Sequence, residues 1–309
     1  MRILVTGGAG FIGSHVADAY IADGHDVLVV DNLATGNRTN VPSAATFVEL
    51  DILDPAFDAL VASFRPALIN HHAAQASVKV SSRDPVADLA MNGGGTARVA
   101  SLCVEYGARL IYASTGGALY GEPERLPVDE AHPIRPLSNY GLSKRVGELY
   151  VDLLQRTAGL RATVLRYANA YGPRQDPRGE AGVIAIFTGL MLAGQPCTID
   201  GDGEQLKDYV YVGDIARANV LALNVDVDGV FNIGTGRGTS VNAIHAALAA
   251  ATGSTAPAAY GPPRPGDVRQ IWLDSHRARD VLGWEAEVPL DEGLRLTVAS
   301  YAGRQVNGQ

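Results

Sequence analysis

The stretch TGGAGFIG, residues 6–13, constrains this chain more than any other. It follows a short apolar run, RILV, and precedes a helical pattern in which Val16 and Tyr20 stand four residues apart. A strand, a glycine loop and a helix in that order let backbone N–H groups at the helix N-terminus meet a pyrophosphate. Gly7, Gly10 and Gly13 are the places where a Cβ would keep that ligand away. Phe11 and Ile12, between them, are candidates for the same contact. A second strand, DVLVVD, ends on Asp31. A carboxylate there accepts hydrogen bonds from ribose hydroxyls and repels a 2′-phosphate. The loop therefore predicts a dinucleotide site that prefers NAD to NADP. Asn32, Thr35 and Gly36, just beyond Asp31, are further cofactor candidates.

The alternation continues. Strands are expected at TFVELD, ALINHHA, RLIYAST and ATVLRYAN, with helices at TARVASLCVEYG and SKRVGELYVDLLQRTAG between them. Strands separated by helices predict an α/β fold with a doubly wound parallel sheet. From about Tyr171 the texture changes to Pro/Gly-rich loops, GPRQDPRGEAG and YGPPRPGD, between regular pieces. The expected division is a cofactor domain of residues 1–170, which also takes in about 208–236. Residues 171–207 and 237–309 would form a smaller α/β substrate lobe.

Composition narrows the partners. The formal net charge of −8 argues against a nucleic-acid backbone. Any anionic ligand must then be met locally. No apolar run is long enough to span a membrane, and no leader precedes the first strand. The two cysteines, Cys103 and Cys197, have neither metal-ligand nor disulfide spacing, so no metal and a reduced, cytoplasmic setting are expected.

Two further motifs carry chemistry. YGLSK places Tyr140 and Lys144 four apart, on one face of a helix. YASTGG ends a strand with Ser114 and Thr115. A tyrosinate could take the proton released when a carbinol is oxidised, but a free phenol has a pKa near 10. Lowering it by about 3 units needs about 4 kcal/mol in favour of the charged form. Lys144 and a positive nicotinamide ring are the sources foreseen. Thr115 would hold the reacting oxygen; its distance in sequence from Tyr140 favours it over Ser114. His71 and His72 fall at a buried strand end and read as structural.

Together these motifs resemble the extended short-chain dehydrogenase/reductase superfamily, and within it the UDP-glucose 4-epimerases. TGGAGFIG, HHAAQASV, ASTGGALYG, YGLSK, LRYANAYGPRQ, DYVYVGD, FNIGTG and RPGD carry the likeness over nearly the whole chain. The resemblance implies a Rossmann-type cofactor domain with tightly bound NAD, and a catalytic set of Thr115, Tyr140 and Lys144. It implies that Asp51 and Ile52 bracket the adenine. Ala73, Ala74, Gln75 and Asn92 would line the pyrophosphate–ribose path, and Tyr167 would approach the nicotinamide. For the UDP-sugar it implies Thr115, Asn169, Val183, Lys207, Arg264, Asp267 and Ile271. Relatives usually carry Arg where Lys207 stands. Dehydratases of this type carry Asp-Glu where this chain has Gly116 and Gly117, and decarboxylases usually have a Glu nearby. The implied reaction is reversible 4-epimerisation of UDP-galactose and UDP-glucose. Another UDP-sugar remains an alternative, and so, further off, do a lyase and a non-catalytic NAD sensor. A uronic acid would need a cationic pocket, for which Arg174 and Arg178 are near in the chain. A homodimer through the helices near Thr96–Tyr106 and Tyr140–Thr157 is also implied.

Overall fold

The computed structural model describes residues 1–177, 182–263 and 267–306. Seven parallel strands form one sheet: β1 (Arg2–Thr6), β2 (Asp26–Asp31), β3 (Thr46–Glu49), β4 (Leu68–His71), β5 (Arg109–Thr115), β6 (Ala162–Tyr167) and, later in the chain, Gly229–Ile233. The helices between them are α1 (Phe11–Ala22), α2 (Ala56–Phe64), α3 (Val78–Arg83), α4 (Pro85–Leu89), α5 (Gly95–Tyr106) and α6 (Asn139–Ala158). After β6 come β7 (Asn169–Tyr171), α7 (Val183–Leu192), β8 (Thr198–Asp200), β9 (Leu206–Lys207), β10 (Tyr209–Tyr211) and α8 (Val212–Val225). The seventh sheet strand is β11; β12 (Thr239–Ser240), α9 (Val241–Thr252), β13 (Ala259–Gly261), β14 (Gln270–Ile271) and α10 (Leu290–Val306) follow it.

The order across the sheet is β11-β6-β5-β4-β1-β2-β3. The chain moves outward from β1 to β3, then returns to β4 on the other side of β1 and moves outward again. The winding direction reverses between β1 and β4, and in such sheets a crevice opens there at the strand C-termini. The doubly wound parallel sheet expected from the alternation is present. The inner strands read as almost unbroken apolar runs because both faces are covered: every residue of β4, β5 and β6 is buried.

One face of the sheet packs on α1 and α8, through Val16, Tyr20, Ile215 and Ala218. The other packs on α2, α5 and α6, through Phe57, Val61, Val99 and Val151. A third cluster lies apart from both, built from Ile184 and Phe187 of α7, Ile244 and Leu248 of α9, and Leu294 of α10. Leu273, Leu282 and Trp284 join the first cluster, so the segment after β14 returns to the main sheet. Small two- and three-stranded sheets link the parts: β7 with β10, β8 with β13, and β9 between β12 and β14.

Two local devices aim side chains at the crevice. Ser138 caps α6 by accepting from the Gly141 N–H at 3.1 Å, so the helix begins just before Tyr140. A π-helical turn, Ala90–Gly94, separates α4 from α5 and carries Asn92. Such turns re-aim side chains, often at functional sites.

Arg166 is the charged residue in β6. Its guanidinium forks onto Glu148 of α6 at 2.9 and 2.7 Å, and both side chains are buried. Glu148 also accepts from the Ser114 hydroxyl at 2.7 Å and from Arg145 at 2.9 Å. The Arg166 cation holds the Glu148 carboxyl below its ordinary range against the opposing pull of burial. Removing one member strands a buried charge, which typically costs about 3–5 kcal/mol. Arg166→Met should lower stability by that amount in urea unfolding. The double variant Glu148→Met/Arg166→Met should recover much of the loss, since an apolar pair leaves no unmatched charge.

Candidate active site

The glycine loop joins β1 to α1 and lies against the chain leaving β4. A Cβ on Gly7 would fall 2.6 Å from the Ala73 backbone nitrogen, and Gly7 itself has a φ of +68°. A Cβ on Gly13 would fall 2.3 Å from the Gly7 carbonyl oxygen. Side chains at either place would push α1 off the loop or the loop off β4. Gly10 is the N-cap of α1. The loop thus sets a helix N-terminus, with its partial positive charge, at the mouth of the crevice.

Asp31 closes β2 beside that loop. Its carboxylate accepts from the Ala9 N–H at 3.0 Å and the Leu33 N–H at 2.8 Å. Burial pushes its pKa upward, opposed by these bonds. Gly36 approaches closely enough that a Cβ would sit 2.7 Å from Asp31 Oδ1. Asn32 donates to Asp51 at 2.8 Å, so the two loops expected at the adenosine end touch. Ile52 is buried against Gly95, while Thr35 is exposed. Phe11 and Ile12, in the first turn of α1, are half-buried. Across the crevice, Gln75 and Asn92 bond reciprocally: the Gln75 N–H donates to Asn92 Oδ1, and Asn92 Nδ2 to the Gln75 carbonyl, both at 2.9 Å. Ala73 donates its N–H to the Thr6 hydroxyl at 3.2 Å, and Ala74 follows it, half-buried. This is a cradle that side chains would fill, with a carboxylate at one end, and it fits a dinucleotide.

Tyr140 and Lys144 lie one turn apart on α6, and Thr115 ends β5 beside them. The Thr115 hydroxyl, which accepts from the Ala118 N–H at 3.2 Å, faces the Tyr140 phenol. Lys144 is buried, donates to the Ala113 carbonyl at 2.9 Å, and sits 5.1 Å from the centre of the Tyr112 ring. Burial draws the Lys144 ammonium down to about 8, while Asp88 and Glu148 pull it back. Burial, then the negative charge of Asp88, pushes the Tyr140 phenol up to about 12; the Thr115 hydroxyl works the other way. The lowering expected of Lys144 is therefore not met within the protein. Lys144 is not among the groups acting on the phenol, and burial, which disfavours a tyrosinate, dominates. The other positive charge foreseen is that of a nicotinamide ring.

The two adjacent hydroxyls differ in direction. Ser114 points at Glu148, whereas Thr115 points at Tyr140. Side chains beside Thr115, at 116 and 117, would crowd their neighbours. A Cβ on Gly116 would fall 2.4 Å from Leu273 Cδ1, and one on Gly117 would fall 3.2 Å from Asn169 Oδ1. Asn169 itself donates to the Asp208 carbonyl at 3.2 Å.

Tyr167 belongs to a buried polar chain. Its hydroxyl accepts from Asn219 Nδ2 at 2.9 Å and lies 3.2 Å from His72 Nε2; Asn219 bonds Asn70, which bonds Tyr20. His71 lies 2.7 Å from the Thr6 hydroxyl and 3.2 Å from that of Thr96. Burial holds both imidazoles neutral, drawing His72 down to about 3 and His71 well below its usual range.

The candidates for the nucleotide end are placed unevenly. Lys207 Nζ is 2.7 Å from Asp267 Oδ1 and also reaches the Val268 carbonyl, so two of them meet each other. Ile271 is buried in β14, paired with Lys207 in β9. Val183 begins α7. Arg174 pairs with Asp18 at 2.6 Å. Arg264 and Arg178 lie outside the described residues.

Three charged residues at the site escaped the sequence reading: Asp88, Glu148 and Arg166. The arginine within an apolar buried strand was a signal, because such a charge demands a partner. Glu148, one turn beyond Lys144, was the place to look. Asp88 gave no signal, since it reads as an ordinary polar residue of a short helix.

The comparisons agree with this geometry. Residues 3–234 match the model of the NAD dependent epimerase/dehydratase family. A UDP-glucose 4-epimerase of Mycolicibacterium smegmatis is 43% identical over 98% of this chain and 99% of its own. The solved structure of the Thermotoga maritima UDP-glucose 4-epimerase with UDP-glucose is 48% identical, at a TM-score of 0.96 over 99% of this chain and 100% of that one. The Thermus thermophilus UDP-glucose 4-epimerase in complex with NAD is 45% identical, at a TM-score of 0.93 over 98% and 99%.

Gly13→Val should separate cofactor from fold. The backbone it strikes cannot give way, so the loop must move away from the helix N-terminus. The variant should purify with its bound nucleotide largely lost, as read by extraction and absorbance, while far-ultraviolet dichroism stays close to wild type.

Proposed function

Because this chain belongs to the NAD dependent epimerase/dehydratase family, we propose that it interconverts UDP-galactose and UDP-glucose by inverting C4 through a 4-keto sugar. The observation that carries this reading is the paired Gly116 and Gly117 beside Thr115, backed by Leu273 and Asn169. Eliminating water or carbon dioxide needs a further acid or base at the reacting carbons. Among the described residues, Thr115, Tyr140 and Lys144 are the groups placed beside these glycines, and they would do no more than move the O4 proton.

When bound, NAD supplies a reversible acceptor for the hydrogen and two electrons that leave C4. Gly7, Gly10 and Gly13 would face its pyrophosphate, and Asp31 the adenosine ribose. Gln75, Asn92 and Tyr167 lie along the path toward the reacting end. Tyr140 takes the O4 proton as the carbonyl forms and returns it as the carbonyl is reduced on its other face. Thr115 orients O4, and Lys144 keeps positive charge below the phenol. Asn169, Lys207 and Asp267 would grip the nucleotide end, so that the sugar can turn while the nucleotide stays.

The third apolar cluster supports a substrate lobe made of residues 171–207 and part of 237–309. Among the described residues no helix is long and apolar enough to cross a membrane, and the two buried, unpaired cysteines are compatible with a reducing cytoplasm. A homodimer is supported by the outer face of α6, where Leu142, Leu149, Tyr150 and Leu153 are exposed at helical spacing. Leu149→Glu should halve the mass measured by light scattering if that face is the seam.

Purified protein mixed with UDP-galactose and no added NAD should form UDP-glucose to a fixed ratio, followed by NMR of the anomeric protons. The same ratio should be reached from UDP-glucose. No conversion, with NAD added or withheld, would sink the assignment. Tyr140→Phe should cut turnover about a thousandfold, within the range of general acid–base catalysis, and leave bound NAD in place.

A further inference from the structure

Asp88 is a buried carboxylate with no part in the reading above. It lies on α4, next to the π-helical turn, and is 1% exposed. Its Oδ1 accepts from Gln75 Nε2 at 2.7 Å and from Asn92 Nδ2 at 3.2 Å. Among the described residues, its buried Oδ2 has no hydrogen-bond partner. A carboxylate oxygen left bare in the interior is costly unless a positive charge faces it. The same hydrogen-bond cluster leads to α6: Asn92 Nδ2 donates to Ser143 Oγ at 2.9 Å, and Ser143 Oγ donates to the Tyr140 carbonyl at 3.0 Å. α4 packs directly on α6. On that helix Lys144 has three donors and one hydrogen bond, to Ala113.

The groups facing Lys144 can be named. From α6 comes Glu148, with Tyr140 one turn away on the same helix, from β5 the Tyr112 ring and the Ala113 carbonyl, and from the end of β4 His71 and His72. Glu148 is already matched by Arg166 and Arg145. The two imidazoles are neutral, and burial pushes the Tyr112 phenol upward, so it too is neutral. Among the described residues, Asp88 is the one negative charge facing Lys144 that no cation matches.

We propose that Asp88 is a positioning residue, whose bare carboxylate oxygen keeps Lys144 in its ammonium form and so maintains the cation beneath the Tyr140 phenol. The inference rests on Tyr140 and Lys144 as the reacting pair. The charge acts in two directions. It disfavours the tyrosinate directly, and it favours the Lys144 ammonium, which burial would otherwise neutralise near the pH of the cell. A carboxylate at this place therefore trades base strength against the survival of the cation.

The chain has only three lysines, Lys79, Lys144 and Lys207. Lysine labelled with carbon-13 at the ε position then gives few enough signals to titrate by NMR in the NAD-loaded protein without any sugar. Loss of one signal in Lys144→Arg assigns it. In the wild type, Lys144 should lose its proton well below the ordinary ammonium value. In Asp88→Asn, whose amide oxygen can still accept from Gln75 and Asn92, the midpoint should fall by about one unit or more, as expected for losing a nearby opposite charge. Lys79 and Lys207 should not move. The alkaline limb of turnover should shift in the same direction. Asp88→Ser, uncharged and smaller, should behave alike and serves if the amide variant does not fold. An unmoved Lys144 midpoint in a folded variant overturns the proposal and leaves Asp88 as a clamp on Gln75 and Asn92 only. Because the readout needs no turnover, it stands or falls apart from the identity of the sugar.

Discussion

The active site hangs on a buried ion pair that takes no part in its chemistry. Arg166 and Glu148 join β6 to α6 with a two-point fork, and Glu148 reaches on to Ser114 in β5. That arrangement fixes the roll of α6 on the sheet. One turn earlier on the same helix stands Lys144, and one turn earlier still Tyr140. With the helix held, Lys144 reaches the Ala113 carbonyl and Tyr140 reaches Thr115. The pair is expensive to bury, and an apolar pair could be as stable. What the ions add is direction: a planar fork admits one orientation, where packed methyl groups admit several.

The glycine loop works by the same logic of close approach, with no charge involved. Gly13 lets α1 lie against the Gly7 carbonyl, and Gly7 lets the loop lie against Ala73. The helix N-terminus and the β4 exit are thereby brought to the point where the sheet reverses its winding. Binding and catalytic groups then sit on opposite lips of one crevice. The asymmetry of the site follows. The cofactor side is built from backbone and short side chains. Beside Thr115, Gly116 and Gly117 offer little to grip, which under the proposed reaction suits a sugar that must show both faces.

The electrostatics of the pair are a balance between burial and two charges. Burial opposes charge on both Tyr140 and Lys144. Asp88 and Glu148 favour the ammonium, and Asp88 disfavours the phenolate. The protein therefore does not store an ionised tyrosine. It stores a cation and a neutral phenol, in a place where additional positive charge tips the balance.

Much of this was legible in the chain. The parallel sheet followed from strands and helices in alternation, since each apolar run is strand-length and the helical runs of α1, α5 and α6 stop at Gly24, Gly107 and Gly159. The cofactor loop and the Tyr140–Lys144 pair follow from local spacing, because a turn or a single helix holds all the residues involved. Tertiary structure alone decided what depends on residues distant in sequence. Ser114 and Thr115 are neighbours with the same hydroxyl chemistry, and only the position of Glu148 separates them. Lys207 and Asp267 each read as a group for the nucleotide, and only the pairing of β9 with β14 brings them together. Asp88 is ordinary in sequence; it acquires meaning because α4 packs on α6 and leaves one of its oxygens dry. Spacing along the chain determines what a residue can reach within a turn of helix. Which charges are stripped of water, and which ions then face them, is set by packing between elements far apart in sequence.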